Sequence, residues 1–229
     1  MVTSPSAFVF DAYGTLFDVH SIAVLAEELA PRSGALLSRL WRTKQLEYSW
    51  LQSLMAPAHP REDFAKVTAH ALDYAIAALV LPLDAAARRR LLDAYMLLSP
   101  FPDALATLRA LAPRPRIILS NGTRAMLVPL VEKSGLGALL DDVLSVDDAG
   151  IFKPSPAVYR LATARLALAP ERVGFVSANG WDAAGAKAFG FTTFWINRDG
   201  QPTERHGPAP DFSLGSLSDI EQVVATLAA

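Results

Sequence analysis

Residues 8–17 read FVFDAYGTLF, a short apolar run that ends in one aspartate and then turns at a glycine. Aromatic and β-branched residues dominate the run, which predicts a buried strand with Asp11 at its carboxyl end. Burying an ionised carboxylate is costly unless a partner stabilises it. Asp11 therefore either accepts hydrogen bonds from the turn that follows or acts as a nucleophile. Thr15 either holds Asp11 or caps a helix.

The composition predicts a soluble globular protein. The chain has 229 residues, of which 52% are hydrophobic, and this is enough for one large domain or for a domain with a smaller inserted one. A net charge of -2 without a long basic run argues against nucleic acid and membrane partners. The absence of cysteine excludes disulfides, thiolate metal sites and a cysteine nucleophile. We expect a cytoplasmic protein without a membrane span.

Short apolar runs alternate with helical patterns, which predicts an α/β fold with a parallel sheet. The predicted strands are residues 8–10, 116–119, 143–146, 173–176 and 192–196. Helical patterns fall between the last four strands, at residues 124–134, 157–168 and 182–189. Gly135, Gly174 and Gly190 are expected at turns between these units.

The interval between the first and second strands carries almost no strand signal. Its Ala, Leu, Arg and Glu residues follow helical spacing in three segments, which Pro57, Pro60 and Pro82 separate. We predict an all-helical insert at residues 18–98, and a core domain formed by residues 1–17 and 99–229.

Polar residues follow four of the predicted strands. They are Asp11, the stretch SNGT at residues 120–123, Asp147 and Asp148 leading to Lys153, and the stretch SANGWD at residues 177–182. Because the carboxyl ends of strands in an open parallel sheet share one edge, we expect these groups to meet there.

Each polar group at this edge has a structural and a functional interpretation. Ser120 and Asn121 form either a helix cap or, with free helix amides, an anion receptor. Lys153 is either solvated or a charge partner that keeps Asp11 ionised. Tyr159 is either core packing or a hydrogen-bond donor to the site. Asp182 is either a first-turn helix acid or a site residue.

Three further features carry weaker signals. Trp181 would ordinarily belong to the core, and Arg42 to a solvated helix face unless the insert covers the edge of the sheet. The histidines match no metal-ligand spacing and are predicted to be structural or surface residues. They are His20, His59, His70 and His206.

Asp11, Thr15, Ser120, Lys153 and Asp182, in this order and with a helical insert after the first strand, resemble the haloacid dehalogenase superfamily. The resemblance implies a Rossmann-like core with a mobile helical cap. Most members are magnesium-dependent phosphatases with a DxD pair after the first strand and a later GDxxxD-type motif.

This sequence departs from the phosphatase pattern at both motifs. Tyr13 occupies the second position of the acidic pair, and Ser177 and Ala178 replace the GD. Magnesium then loses an oxygen ligand, and a phosphate ester loses the proton donor for its leaving group. A halide is a very weak base and leaves without a proton.

Six sequence blocks are similar to those of the L-2-haloacid dehalogenase family. They are DAYGTLFDVHS, LWRTKQLEYSWL, LSNG, FKPSPAVY, VSANGWDAAGAKAFG and FWINRDG, in chain order. The resemblance implies a homodimeric hydrolase that needs no metal or cofactor and converts L-2-haloacids into D-2-hydroxyacids and halide. A phosphatase acting on a small phosphate ester and a noncatalytic binding protein remain as alternatives.

The family resemblance also implies roles for matching residues. Asp11 is expected to attack C2 of the substrate, and water then hydrolyses the resulting ester. Halide binding is assigned to Arg42, Asn121 and Trp181. Substrate carboxylate binding is assigned to Ser120 and neighbouring amides.

The remaining implied roles are supporting ones. Lys153 balances the negative charge, while Asn179 and Asp182 position and activate the hydrolytic water. Thr15, Ser177 and Tyr159 complete the polar network. The walls around the C2 substituent are Tyr13, Leu46, Phe64 and Trp181. Thr43 stands where the family is expected to have a longer polar side chain, which affects the predicted pocket size.

Overall fold

The computed structural model describes residues 3–19, 21–56 and 58–228. His20 and Pro57, for which the sequence predicts a structural role and a helix break, lie outside these ranges. Within them, the chain forms a parallel six-stranded sheet in the order β3-β2-β1-β4-β5-β6. The predicted α/β class with a Rossmann-like parallel sheet is therefore confirmed. The strands are β1 Ala7–Phe10, β2 Arg116–Ser120, β3 Asp142–Ser145, β4 Val173–Ser177, β5 Thr192–Ile196 and β6 Phe212–Leu214.

Helices lie between most of these strands and in the interval between β1 and β2. They are α1 Ser21–Leu29, α2 Gly34–Met55, α3 Phe64–Ala78, α4 Ala85–Tyr95, α5 Ala104–Ala110, α6 Arg124–Lys133, α7 Pro156–Leu166, α8 Gly180–Phe189 and α9 Asp219–Ala228. Short 3-10 turns occupy Gly137–Leu139, Val146–Ala149 and Pro170–Arg172. Where helices were predicted between strands, their observed ends agree with the prediction to within two residues.

The first strand occupies the centre of the sheet, and this position decides where Asp11 lies. Every residue of β1 is buried, and Phe10 pairs with Ile118 of β2 and with Val176 of β4. The Asp11 N–H then donates to the Val176 carbonyl at 2.9 Å, which extends the ladder by one residue. The strand ends therefore place Asp11 between the residues that follow β2 and β4.

Two details of the strands differ from the sequence prediction. Gly174 lies inside β4 rather than at a turn, with Phe8 as its partner in β1. A Cβ atom at Gly174 would lie 2.7 Å from the Phe8 ring, so this strand position requires glycine for close packing. The third strand ends at Ser145, because the Ser145 hydroxyl accepts the Asp147 N–H at 3.1 Å and begins a 3-10 turn.

Helices α1 to α4 pack against one another in the interval between β1 and β2. Aspartate caps mark two helix starts, since Asp63 accepts the Lys66 N–H and Asp84 accepts the Ala87 N–H, both at 2.8 Å. Helix α1 was not among the predicted segments. Across the part of the chain that the structure describes, none of the helices combines the length and apolar character needed to cross a bilayer.

The chain enters and leaves this helical interval at one point. Phe17 and Pro100 form an antiparallel bridge. On either side of it, Asp18 N–H donates to the Ser99 carbonyl at 2.9 Å and Phe101 N–H donates to the Leu16 carbonyl at 2.8 Å. The two connections between the helical interval and the sheet are therefore tied together.

Candidate active site

Asp11 lies at the end of β1 with only 6% of its surface exposed. Its Oδ2 atom accepts from Asn179 Nδ2 at 2.9 Å and from the Thr15 hydroxyl at 3.2 Å, and its Oδ1 atom accepts from Lys153 Nζ at 3.1 Å. Thr15 in turn accepts the Ala178 N–H at 2.8 Å. The Asp11 carboxylate is therefore held by three side chains, and one of them, Thr15, is itself held by the backbone at Ala178.

Lys153 is the charge partner of two carboxylates. Its fully buried ammonium lies 3.1 Å from Asp11 Oδ1 and 2.8 Å from Asp182 Oδ2. Burial alone would lower the pKa of Lys153, but the two carboxylates outweigh it and raise this pKa above its ordinary value. Lys153 is consequently protonated at neutral pH and keeps a positive charge beside Asp11.

Asp182 is buried behind Lys153, in the first turn of α8. Its Oδ1 atom accepts from the Tyr159 hydroxyl at 2.8 Å, and its Oδ2 atom accepts from Ser177 Oγ at 3.2 Å. Burial raises the pKa of Asp182, partly opposed by Lys153, and burial likewise raises the pKa of Tyr159. Asp182 is thus an unusually basic carboxylate, and Tyr159 is a hydrogen-bond donor to it.

Asn179 joins the helical interval to the edge of the sheet. Its Nδ2 group donates to Asp11 and, at 3.3 Å, to the Tyr13 carbonyl, while its Oδ1 atom accepts from Arg42 Nη2 at 3.2 Å. Arg42 on α2 therefore reaches over the sheet edge, which favours the functional interpretation of this residue over a solvated one.

A small cavity lies against Asp11. Its lining includes all the residues predicted to bind substrate or halide, together with Asp11 and Asn179: Asp11, Tyr13, Arg42, Leu46, Phe64, Ser120, Asn121, Asn179 and Trp181. The residues expected to support the site, among them Asp182 and Lys153, lie behind this lining.

Hydrogen bonds at the end of β2 orient two of the residues that line the cavity. Ser120 Oγ accepts the Gly122 N–H at 3.2 Å, and Asn121 Oδ1 accepts the Lys153 backbone N–H at 3.0 Å. The Asn121 amide is thereby oriented so that its Nδ2 group, a donor, is the end left for an anion in the cavity.

Tyr13 forms one wall of the cavity. Its ring lies 6.1 Å from that of Phe64 and 5.4 Å from that of Tyr95. The buried Tyr13 hydroxyl has no hydrogen-bond partner among the described residues. Burial raises the pKa of Tyr13, with a further contribution from Tyr95 and Asp11. The phenol is therefore neutral and a poor proton donor.

Some residues singled out in the sequence lie elsewhere. Asp147 follows β3, but its carboxylate binds Arg61 at 2.7 Å, and Asp148 binds Arg124 at 3.0 Å. Neither acid lines the cavity. The Thr43 hydroxyl donates to the Arg39 carbonyl on its own helix at 2.9 Å and does not line the cavity.

The structure also bears on the histidines and on metal binding. His70 contacts Glu62 at 3.1 Å, His206 contacts Glu204 at 3.6 Å, and both are exposed. Among residues 3–19, 21–56 and 58–228, no group of three or more His, Asp or Glu side chains is arranged to hold a metal ion.

Sequence reasoning missed the residues that contact Arg42 inside the helical interval. Gln45 accepts from Arg42 Nη1 at 2.7 Å, and Tyr95 contacts both of them. Gln45 lies three residues after Arg42 on α2, a spacing that places both on one helix face. That spacing was the one available signal, since Tyr95 is on another helix.

The sequence of this chain is similar to a known protein family and to individual enzymes. The family model for haloacid dehalogenase-like hydrolases matches residues 5–190. The chain is 43% identical to an (S)-2-haloacid dehalogenase of Pseudomonas sp. (strain YL), over 96% of this chain and 94% of that protein. It is also 43% identical to (S)-2-haloacid dehalogenase 4A of Burkholderia cepacia, over 98% of this chain and 97% of that one.

Solved structures show the same likeness. A crystal structure of an L-2-haloacid dehalogenase matches with a TM-score of 0.94 and 46% identity, covering 97% of this chain and 100% of that one. The Xanthobacter autotrophicus L-2-haloacid dehalogenase with chloropropionic acid covalently bound matches with a TM-score of 0.90 and 40% identity, covering 96% of this chain and 98% of that one.

Proposed function

We propose that this chain, which belongs to the (S)-2-haloacid dehalogenases among the haloacid dehalogenase-like hydrolases, converts L-2-haloacids into D-2-hydroxyacids and halide through a covalent ester of Asp11. The observation that carries the proposal is the cavity that Asp11 and Arg42 line together. It combines a nucleophile with groups that present positive potential to a departing anion, and Tyr13 stands where a phosphatase has its second acid.

In the first step, Asp11 displaces halide from C2. A carboxylate oxygen of Asp11 forms a bond to C2 while the carbon–halogen bond breaks, so that the configuration at C2 inverts. The halide leaves with the bonding electron pair towards Arg42, the Asn121 amide and the edge of Trp181. Ser120 and neighbouring backbone amides bind the substrate carboxylate.

Hydrolysis of the ester completes the reaction. Water, positioned by Asn179, gives a proton to Asp182 as it attacks the carbonyl carbon of the Asp11 ester. The bond between that carbon and the ester oxygen breaks, and the departing alkoxide takes the proton from Asp182 to give the hydroxyacid. The raised pKa of Asp182 makes this carboxylate a suitable acceptor for the proton of the water. Tyr159 and Ser177 orient Asp182 for this role, and Lys153 holds both carboxylates.

The alternative function, hydrolysis of a small phosphate ester, has less support. An alkoxide leaving group needs a proton donor beside the nucleophile. At the position of that donor, this chain has Tyr13, whose pKa is raised by burial and whose hydroxyl faces no partner among the described residues. Halide release needs no such donor.

The domain division and assembly belong to the same proposal. Residues 18–98 form a helical cap on a core of residues 1–17 and 99–229, supported by the paired connections at Phe17 and Pro100. A homodimer is supported by the apolar side chains that α2 leaves exposed at Leu51, Leu54 and Met55. Sedimentation of the purified protein tests the dimer. The cytoplasmic location stays a prediction.

Enantiomer-resolved halide release tests the function. We expect chloride and D-lactate from L-2-chloropropionate, with undiminished rate in EDTA, and no reaction of the D enantiomer. Asp11→Asn abolishes turnover. In a single turnover in H₂¹⁸O, attack at the ester carbonyl leaves ¹⁸O in the Asp11 carboxylate, which mass spectrometry of the protein detects.

Separate outcomes would overturn separate parts of the proposal. Loss of activity in EDTA, or turnover of an aryl phosphate in place of the haloacid, would support the phosphatase alternative. Appearance of ¹⁸O in the first lactate instead of the protein would exclude the covalent ester. Anion binding without turnover would be the result for a noncatalytic binding protein.

A further inference from the structure

Gln45 is a fully buried amide next to the catalytic cavity, although it does not line it. Its Oε1 atom accepts from Arg42 Nη1 at 2.7 Å and from the Tyr95 hydroxyl at 3.0 Å. The Tyr95 hydroxyl also accepts from Arg42 Nη1, at 3.4 Å. Arg42, Gln45 and Tyr95 thus form a closed triangle of hydrogen bonds between α2 and α4.

The orientation of the Gln45 amide is fixed by chemistry. A guanidinium has donors and no acceptor, so the Gln45 oxygen, not its NH₂ group, must face Arg42. The NH₂ group donates to Thr68 Oγ1 on α3 at 2.6 Å. The Thr68 hydroxyl donates its hydrogen bond to the Phe64 carbonyl at 2.6 Å, so its oxygen acts as the acceptor for Gln45. Both ends of the amide are matched.

The guanidinium of Arg42 is held from two sides. Nη1 binds Gln45 in the helical interval, and Nη2 binds Asn179 Oδ1 at the sheet edge. Asn179 also donates to Asp11. The position of Arg42 relative to the nucleophile is therefore set jointly by Gln45 and Asn179.

We infer that Gln45 is a positioning residue for halide departure: it fixes Arg42 in the orientation that receives the halide and, being neutral, leaves the full charge of Arg42 for the anion. The inference rests on the proposed function. A carboxylate at this place would hold Arg42 equally well but would neutralise it. An amide gives rigid placement of the cation without that loss, and preorganised charge is what stabilises a developing anion.

A positioning role predicts a dependence on the leaving group. Chloride is expelled less readily than bromide, so its departure depends more on stabilisation by Arg42. Gln45→Met keeps the length of the side chain and removes its three hydrogen bonds, to Arg42, Tyr95 and Thr68. We expect kcat for L-2-chloropropionate to fall by on the order of 10²-fold. The fall for L-2-bromopropionate should be about ten times smaller, with KM changing little for either substrate.

A matched control and a second variant keep the test sharp. Gln52→Met removes a partly exposed glutamine of the same helix, whose partner is Glu62, and should leave both rates unchanged. Thr68→Val removes the acceptor of the Gln45 NH₂ group and should give a weaker form of the same chloride-selective loss. This second variant decides the question if Gln45→Met does not fold.

Halide binding provides a readout that does not need turnover. We expect bromide to quench the fluorescence of Trp181, which lines the cavity, and the signal is measured as the difference from Trp181→Phe. The Kd of bromide should rise about tenfold in Gln45→Met. Equal rate losses for chloride and bromide, or an unchanged bromide Kd, would overturn the role of Gln45. A wild-type protein that binds bromide normally but releases no halide from L-2-haloacids would instead refute the proposed function.

Discussion

At the scale of single residues, the net charge of the buried group formed by Asp11, Lys153 and Asp182 goes from negative to neutral during the proposed reaction. Before it, Lys153 is shared by two carboxylates, so that this buried group carries an excess negative charge. Formation of the ester neutralises Asp11, and Lys153 and Asp182 are left as a balanced ion pair. Burying this group therefore costs less free energy after halide has left, because the excess negative charge is gone. This difference favours the forward reaction.

Replacing Lys153 tests this charge balance. Lys153→Met leaves two buried carboxylates without a cation and removes the positive charge that stabilises the ionised nucleophile. We expect kcat for halide release to fall by about 10²–10³-fold, measured with L-2-chloropropionate at neutral pH. Circular dichroism checks that the variant is folded.

Lys44 supplies a matched control for that substitution. It lies on α2 outside the cavity lining, where it pairs with Glu47, so Lys44→Met should retain the wild-type rate. Equal rates for Lys153→Met and wild type, in a folded protein, would show that Lys153 has no electrostatic role.

Much of the site was predictable because parallel topology brings distant strand ends together. Asp11, Ser120 and Asn179 could be placed at one edge from the strand pattern alone. Gln45 could not, because its partners Thr68 and Tyr95 lie 23 and 50 residues away on helices whose packing no local pattern encodes.

At the scale of elements, the pairing of β1 with β4 depends on a glycine. A Cβ at Gly174 would meet the Phe8 ring at 2.7 Å and Pro5 at 3.1 Å, inside the fully buried centre of the sheet. Gly174→Ala should lower the free energy of unfolding by about 1–3 kcal/mol, measured by urea denaturation. Gly137→Ala is the control, because its Cβ would meet Val131 at an ordinary 3.6 Å. Equal stabilities for Gly174→Ala and wild type would contradict the close packing of Gly174 against Phe8.

The contact between α2 and α8 sets a second expectation. Trp50 lies edge-on to Trp181 with ring centroids 5.4 Å apart, and both border an apolar groove that also includes Leu54 and Phe152. Trp181 is the wall between this groove and the catalytic cavity. Removal of Trp50 gives the Trp181 ring room to move away from the substrate.

Trp50→Ala should therefore shift chain-length preference. We expect kcat/KM for L-2-bromohexanoate, relative to L-2-bromopropionate, to rise about tenfold, within the range that a few methylene groups contribute to selectivity. Leu51→Ala, on the same helix but outside the groove, should leave the ratio unchanged. If the ratio did not change in Trp50→Ala, Trp50 would not limit the pocket.

At the scale of the whole molecule, the strand and helix alternation was predictable, and the outer elements were not. Strand β6 has three residues, none of them buried, so it lacks the apolar run that marks β1. Residues 18–98 carry almost no strand signal, which is why the helical interval was recognised. Its placement over the sheet edge, by contrast, depends on contacts such as that between Arg42 and Asn179.

The buried phenols make the stability of the whole molecule fall at alkaline pH. In the folded protein the pKa of Tyr13 and that of Tyr159 lie above the ordinary value of 10.0, and that of Lys153 lies above 10.5. Below these ordinary values both states keep their protons and the contribution to stability is fully present. As pH rises past them, the unfolded chain loses protons that the folded chain retains, so the free energy of unfolding decreases.

Tyr13→Phe isolates one of these groups, because the Tyr13 hydroxyl has no partner to lose among the described residues. Urea denaturation between about pH 8 and about pH 11 should show the wild-type stability falling, and the decline in Tyr13→Phe should be shallower by up to about 1.4 kcal/mol per pH unit. Tyr74→Phe, at a tyrosine that is 44% exposed on α3, is the matched control and should follow the wild-type slope. Identical slopes for Tyr13→Phe and wild type would mean that Tyr13 ionises as readily in the folded protein as in the unfolded chain. That result would remove the physical reason for regarding Tyr13 as a neutral wall of the cavity, and with it the strongest objection to proton donation from this position.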